Sequence, residues 1–184
     1  MGLTLIIGGA RSGKSARAQA MAEAEARARG GTPVLIATAE ALDAEMAERI
    51  ARHRAERGPG WRTVEAPRDP AAALHDLRAE DCAVLDCLTL WLSNLMLAEA
   101  DLEAAADALL AAAAQTPADV VMVANEVGLG IVPENALARR FRDEAGRLNR
   151  RVADQAGRVI VMFAGQALTL KASQADASLR GNPA

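Results

Sequence analysis

Aromatic side chains are scarce in this sequence of 184 residues, which contains two tryptophans, two phenylalanines and no tyrosine. Proteins that bind single-stranded nucleic acid stack the bases on aromatic side chains. The sequence also lacks an excess of basic residues, because its formal net charge is −3 and its isoelectric point is near 5.5. A nucleic-acid-binding domain is usually basic. We therefore expect no nucleic-acid partner.

Cysteine is equally rare. The two cysteines, Cys82 and Cys87, lie five residues apart and form no CxxC pair, which favours buried thiols in a reducing compartment over a disulfide framework. No apolar run approaches the roughly 20 residues that a membrane-spanning helix needs, and the chain enters its first strand without a leader. These features predict a cytoplasmic protein with no membrane span.

The most informative stretch is the glycine-rich loop Gly8-Gly9-Ala10-Arg11-Ser12-Gly13-Lys14-Ser15. It matches G-x-x-x-x-G-K-[ST], and it lies between an apolar strand at 3–7 and a helix at 16–29. Such a loop directs successive N–H groups and the positive end of a helix dipole at one point, which suits a chain of phosphates. Lys14 would reach the β- and γ-phosphates, and the Ser15 hydroxyl would bind Mg²⁺. A chance glycine-rich turn is the alternative, which the flanking strand and helix disfavour.

Short apolar runs alternate with helical patterns along the rest of the chain. Further strands are predicted at 34–37, 61–65, 82–85, 120–124 and 159–163, with a possible edge strand at 168–171. This alternation predicts an α/β fold with a mainly parallel sheet covered by helices on both faces. We expect one domain over 1–171 and a disordered tail over 172–184, which is small and polar.

Two residues outside the loop are candidates for chemistry, and each has a structural alternative. Asp86 directly follows a buried strand, as the Mg²⁺-binding Walker B carboxylate does, but it is also placed to cap the next helix. His53 lies on the apolar stripe of a helix predicted at 43–57, which favours a packed side chain. Its neighbours, however, include Arg54 and Arg57, whose charge would keep the imidazole neutral and nucleophilic. The other histidine, His75, is expected at the surface.

Two further features have an open interpretation. Glu65 ends a strand, where it would either accept hydrogen bonds from a ribose or guanine or be a solvated carboxylate. The loop at 125–133 combines glycine with apolar residues at the end of a strand, which suits a lid or a substrate wall.

Taken together, several motifs resemble one family. They are GGARSGKS at 8–15, the strand end Ala37-Thr38, RIARHRAER at 49–57, and NEVGLGIVPEN at 125–135, continued by LAR at 137–139 and FRD at 141–143. Over about residues 3 to 171 the sequence is similar to the bifunctional adenosylcobinamide kinase and adenosylcobinamide-phosphate guanylyltransferases of cobalamin biosynthesis.

The resemblance implies a P-loop NTPase fold with a RecA-like sheet, assembled as a homotrimer. It implies that ATP or GTP phosphorylates adenosylcobinamide, and that GMP is then transferred from GTP to that phosphate through a guanylyl-histidine, releasing pyrophosphate. His53 matches the guanylylated position, and Lys14 and Ser15 match the phosphate-loop positions. The remaining matches to nucleotide-binding positions are Ala37, Thr38, Ala39, Arg54, Arg57, Glu65 and Asp86.

Two other functions compete with this one. A P-loop kinase with a single activity would leave His53 packed, and a nucleotide-dependent switch would order its loops around the γ-phosphate to bind another protein. The sequence contains no Asn-Lys-x-Asp motif of the kind a GTPase switch uses to recognise guanine. The preference for ATP or GTP in the kinase step and the residues that bind the corrin ring stay open.

Overall fold

The computed structural model describes residues 2–40, 48, 58 and 60–172. The described strands are β1 (Leu3–Gly8), β2 (Pro33–Ala37), β3 (Arg62–Glu65), β4 (Cys82–Asp86), β5 (Asp119–Asn125), β6 (Arg158–Phe163) and β7 (Gln166–Lys171). The described helices are α1 (Lys14–Arg29), α2 (Pro70–His75), α3 (Leu88–Leu97), α4 (Leu102–Gln115) and α5 (Ala136–Gln155). The helix predicted at 43–57, with His53, Arg54 and Arg57, and the tail predicted at 172–184 lie outside the described residues, apart from residues 48 and 172.

The strands form one sheet in the order β3-β2-β4-β5-β1-β6-β7. The first six strands run parallel, and β7 pairs with β6 in the antiparallel direction. This confirms the predicted mainly parallel sheet. Parallel strands of an open sheet present their carboxyl ends at one edge, which is where such folds bind ligands. The phosphate-binding loop, Thr38, Glu65 and Asp86 all lie at the carboxyl end of a strand.

Helices cover both faces of the sheet. On one face, α1 contributes Ala18, Ala22 and Ala26, which are fully buried against residues such as Ile6 and Val84. Alanines spaced four residues apart share one side of a helix, and their small side chains let it pack close to the strands. The opposite face holds the larger core, built with α3, α4 and α5 around residues such as Trp91, Leu109 and Leu148.

The amino-terminal edge of the sheet is held by a buried carboxylate. Asp81, which directly precedes β4, accepts hydrogen bonds from the backbone N–H groups of Thr32 and Arg78, both at 3.2 Å. It also accepts one from the Arg62 guanidinium at 3.1 Å. This cluster is structural, because it lies at the edge opposite the phosphate-binding loop.

Within the described part of the chain, no helix is both long and apolar enough to cross a membrane.

Candidate nucleotide-binding site

The glycine-rich loop connects β1 to α1 as the motif predicts. Gly13 is the N-cap residue of α1 and has a φ of 94°, in the left-handed region that favours glycine. Because Gly13 has no side chain, nothing of its own covers the first amides of the helix. The N-terminal N–H groups of α1 and the positive end of its dipole therefore face the space above the loop, which is the arrangement that binds phosphate.

Gly8 is required by a close approach between strands. It pairs with Met162 of β6, and a Cβ atom at this position would lie 2.3 Å from the Met162 carbonyl oxygen and 2.9 Å from Ser12 Oγ. The glycine lets β1 and β6 run side by side up to the point where the loop begins. It thereby fixes the starting point of the loop.

Lys14 lies beneath the loop and is only 6% exposed. Its Nζ donates a hydrogen bond of 2.6 Å to the Gly9 carbonyl and lies 3.5 Å from Ser12 Oγ. Burial lowers the pKa of Lys14, and the acidic groups of Cys87 and Asp86 act in the opposite direction.

Asp86 is the last residue of β4 and is half-buried. It lies between Ala37 of β2 and Val123 of β5 in the sheet register, and the peptide bond that joins it to Cys87 is cis. The predicted alternative, in which Asp86 is the cap of the following helix, is wrong, because the N-cap residue of α3 is Cys87.

Mg²⁺ uses oxygen ligands and is commonly bound by one or two protein groups together with substrate phosphates and water. The Ser15 hydroxyl at the start of α1 and the Asp86 carboxylate supply such a pair. Among the residues that the structure describes, no cluster of three or more His, Cys, Asp or Glu side chains could hold a metal by itself. The two oxygen donors are of the kind that Mg²⁺ uses when substrate phosphates complete its ligands.

Thr38, one of the predicted nucleotide-binding residues, directly follows β2. It is fully buried, and its hydroxyl donates to the Cys87 carbonyl at 2.8 Å and accepts from the Cys87 N–H at 2.7 Å. The hydroxyl is thus engaged within the protein. Its neighbours Ala37 and Ala39 are half-buried at the same strand exit.

Asn94 of α3 is a site residue that the sequence analysis missed. It is 6% exposed, and its amide donates to the Thr38 carbonyl at 2.7 Å and to the Pro67 carbonyl at 2.9 Å. The sequence signal was an amide side chain within a mostly apolar helix, which predicts a buried hydrogen-bonding role.

Glu65 ends β3 and is exposed. It pairs in register with Ala37 of β2, so two strand spacings, or about 10 Å, separate it from Asp86 along the same edge. This separation suits contacts at different parts of one nucleotide.

The apolar loop after β5 begins beside the phosphate-binding loop, because the Glu126 N–H donates to the Gly8 carbonyl at 3.0 Å. Leu129 is 90% exposed and Ile131 is 98% exposed. Large apolar side chains in such a position are unusual on a protein surface and mark a contact surface.

Comparison with solved structures defines the class of protein first. The chain aligns with the flagellar accessory protein FlaH of Methanocaldococcus jannaschii, with a TM-score of 0.54, 14% identity and coverage of 95% of this chain and 80% of that chain. A KaiC-like protein of the hyperthermophilic archaeon Pyrococcus horikoshii aligns with a TM-score of 0.55 and 14% identity, covering 94% of this chain and 80% of that chain. These matches concern the fold alone. Together with the strand–loop–helix unit, they identify a P-loop NTPase fold of the RecA-like type, as expected.

Sequence comparison then gives the family. The model of the cobinamide kinase / cobinamide phosphate guanyltransferase family matches residues 4–170. The bifunctional adenosylcobalamin biosynthesis protein CobP of Pseudomonas aeruginosa is 46% identical over 171 residues, which cover 91% of this chain and 96% of that protein. The bifunctional adenosylcobalamin biosynthesis protein CobU of Salmonella typhimurium is 41% identical over 187 residues, which cover 92% of this chain and 99% of that protein. The chain belongs to the cobinamide kinase / cobinamide phosphate guanyltransferase family, which confirms the resemblance.

Proposed function

We propose that this protein phosphorylates adenosylcobinamide with ATP or GTP and then transfers GMP from GTP to the new phosphate. The products of the second step are adenosylcobinamide-GDP and pyrophosphate, in the late nucleotide-loop assembly of cobalamin. The observation that carries the proposal is the glycine-rich loop with buried Lys14, which lies at the same edge of the sheet as Asp86, in a chain that its family model matches from residue 4 to 170.

In this proposal the phosphate chain lies over the loop from Gly8 to Ser15. Lys14 neutralises charge on the transferred phosphoryl group, and Ser15 and Asp86 hold Mg²⁺, which would further neutralise the phosphates. Glu65 and the residues at the exit of β2 would bind the nucleoside, with Arg54 and Arg57 near the phosphates. One phosphate site can serve both steps, since a shift of the triphosphate presents either the γ- or the α-phosphorus to the attacking group.

His53 is the proposed nucleophile of the second step. A ring nitrogen of neutral His53 attacks the α-phosphorus of GTP, a P–N bond forms, and the bond to pyrophosphate breaks with its electron pair on the leaving oxygen. A phosphate oxygen of the acceptor then attacks the same phosphorus, and the P–N electron pair returns to the imidazole. A covalent intermediate divides one difficult transfer into two easier ones.

The acceptor is expected to lie against the apolar loop after β5. Adenosylcobinamide is large and has extensive apolar surface, and Leu129 and Ile131 present such surface next to the phosphate-binding loop. Changing both to serine should raise the KM for adenosylcobinamide about tenfold and leave the KM for the nucleotide unchanged. Leu97→Ser is a matched control, because Leu97 is 67% exposed at the end of α3. An equal effect of the control would contradict this position.

The two reactions are tested with purified protein, adenosylcobinamide and nucleotide labelled at either phosphorus. Label from γ-labelled nucleotide should enter the corrinoid first, and label from α-labelled GTP should follow only after phosphorylation. Transfer of γ-label alone would support a kinase with one activity. Hydrolysis without transfer to the corrinoid would favour the nucleotide switch. We also propose that the protein is a cytoplasmic homotrimer. A molar mass in solution of three times that of the chain would support this assembly.

A further inference from the structure

We propose that Thr38 and Asn94 are positioning residues that hold Asp86 at the metal–phosphate site, and that the Thr38 hydroxyl makes no contact with the nucleotide. This inference rests on the proposed function, because it takes Asp86 as a ligand of the Mg²⁺ that accompanies the nucleotide. Thr38, which the family resemblance matches to a nucleotide-binding position, would then support the site through hydrogen bonds within the protein.

Thr38 is bonded to both residues of the Asp86-Cys87 pair. Its backbone N–H donates to the Asp86 carbonyl at 3.2 Å. Its hydroxyl donates to the Cys87 carbonyl at 2.8 Å and accepts from the Cys87 N–H at 2.7 Å. A hydroxyl has one hydrogen to donate, and here that hydrogen is already used. Since Thr38 is also fully buried, its side chain offers no surface to a ligand.

Asn94 holds Thr38 in turn. The two donated hydrogens of its amide go to the carbonyls of Thr38 and Pro67, which follow β2 and β3. Because α3 begins one residue after Cys87, these bonds close a ring from Asp86-Cys87 through α3 to Thr38 and back to Cys87.

The ring is buried, and this makes it stiff. Breaking one of its bonds would leave a carbonyl or an N–H unpaired away from water, which is energetically unfavourable. The backbone that carries the Asp86 carboxylate therefore has few alternative positions. Residues that orient a metal ligand in this way typically change metal affinity about 10- to 100-fold when they are removed.

The test compares Thr38→Val with Thr38→Ser, because valine keeps the shape without the hydroxyl and serine keeps the hydroxyl. Two quantities are measured: the Kd of a fluorescent GTP analogue in EDTA, and the affinity of the protein–GTP complex for Mn²⁺ by electron paramagnetic resonance. Thr38→Val should weaken Mn²⁺ binding about tenfold or more and change metal-free GTP binding less than about twofold. Thr38→Ser should restore Mn²⁺ binding. A comparable loss of metal-free GTP binding in Thr38→Val would show a direct contact and overturn the inference.

Asn94→Ala gives a second test if Thr38→Val does not fold. Its matched control is Asp81→Ala, since Asp81 is also buried and also joins two backbone groups, but at the opposite edge of the sheet. Both variants should lose stability, and only Asn94→Ala should weaken Mn²⁺ binding. Equal Mn²⁺ affinities in the two variants would contradict a positioning role. These readouts need no turnover, so a wild-type protein that binds Mn²⁺-GTP without transferring it would refute the proposed function, while the Mn²⁺ affinities of the variants would still support or overturn this inference.

Discussion

Gly8→Ala perturbs the phosphate-binding loop at one defined contact. The added Cβ would lie 2.3 Å from the Met162 carbonyl oxygen, whereas ordinary carbon–oxygen contacts are about 3.3 Å or longer. To relieve the clash, β1 and β6 must separate by about 1 Å at the residue that starts the loop. Overpacking of this kind typically costs 1–3 kcal/mol, and backbone on both sides of the contact places this case at the upper end, at about 3 kcal/mol.

For a protein of this size, a loss of about 3 kcal/mol lowers Tm by roughly 6–12 °C. Gly9→Ala is the matched control, because a Cβ at Gly9 meets no atom within 4 Å. Thermal unfolding and urea titration of the two variants, without nucleotide, measure the difference. If Gly8→Ala is as stable as Gly9→Ala, the close approach of β1 and β6 is not the reason that glycine is required at position 8.

Three further predictions concern single side chains. Lys14→Met should weaken GTP binding about 10- to 100-fold in calorimetry, because it removes a charged hydrogen-bond donor. The free protein should keep or gain stability, because burial disfavours the charged form of Lys14 and so lowers its pKa. A large loss of stability with unchanged affinity for GTP would contradict this prediction. Burial raises the pKa of Cys82 from 9.0 to about 12, so the stability it contributes is present below about pH 9 and is lost as the pH rises toward 12. Between pH 8 and 10 the free energy of unfolding should therefore fall about 1.4 kcal/mol more in the wild type than in Cys82→Ala, and parallel pH profiles would refute the assignment. Asp119→Ala should lower the free energy of unfolding in urea by about 2 kcal/mol, because the buried carboxylate accepts hydrogen bonds from Arg29 and the Gly2 N–H. The Kd for GTP should not change. Weaker GTP binding would show that the amino-terminal edge of the sheet affects the site.

The sequence predicted the parts of the fold that are encoded locally. The apolar runs of β4 and β5 are continuous because both faces of those strands are buried. Asp69 caps α2 by accepting the Ala72 N–H, as an Asp directly before a proline at the first helical position can do. Asn135 caps α5 in the same way, because its side chain accepts the N–H groups of Leu137 and Ala138.

The strand order and the hydrogen bonds of Thr38 were not encoded locally. Thr38 and Cys87 are 49 residues apart in sequence, and only the pairing of β2 with β4 brings them together. A threonine after a strand looks the same whether its hydroxyl faces a ligand or a neighbouring backbone. Asn94 was missed for the same reason, since its two partners lie 56 and 27 residues away.

The edge strand β7 differs from its sequence pattern. Leu168 and Leu170 alternate with polar residues, which is typical of a strand with one buried face. In the structure they are 62% and 65% exposed, on a strand that lies at one end of the described sheet. The alternation correctly indicates a strand with one apolar face, but it does not indicate whether that face is buried.

The guanylyl-histidine is tested most directly by incubating the protein with Mg²⁺ and GTP labelled at the α-phosphorus, followed by denaturing electrophoresis. The sequence contains only two histidines, so His53→Ala and His75→Ala complete the comparison; His75 is exposed at the end of α2. We predict an acid-labile, base-stable label on the wild type and on His75→Ala, and none on His53→Ala. No label on a wild-type protein that binds GTP, or a label that persists in His53→Ala, would contradict the proposed mechanism.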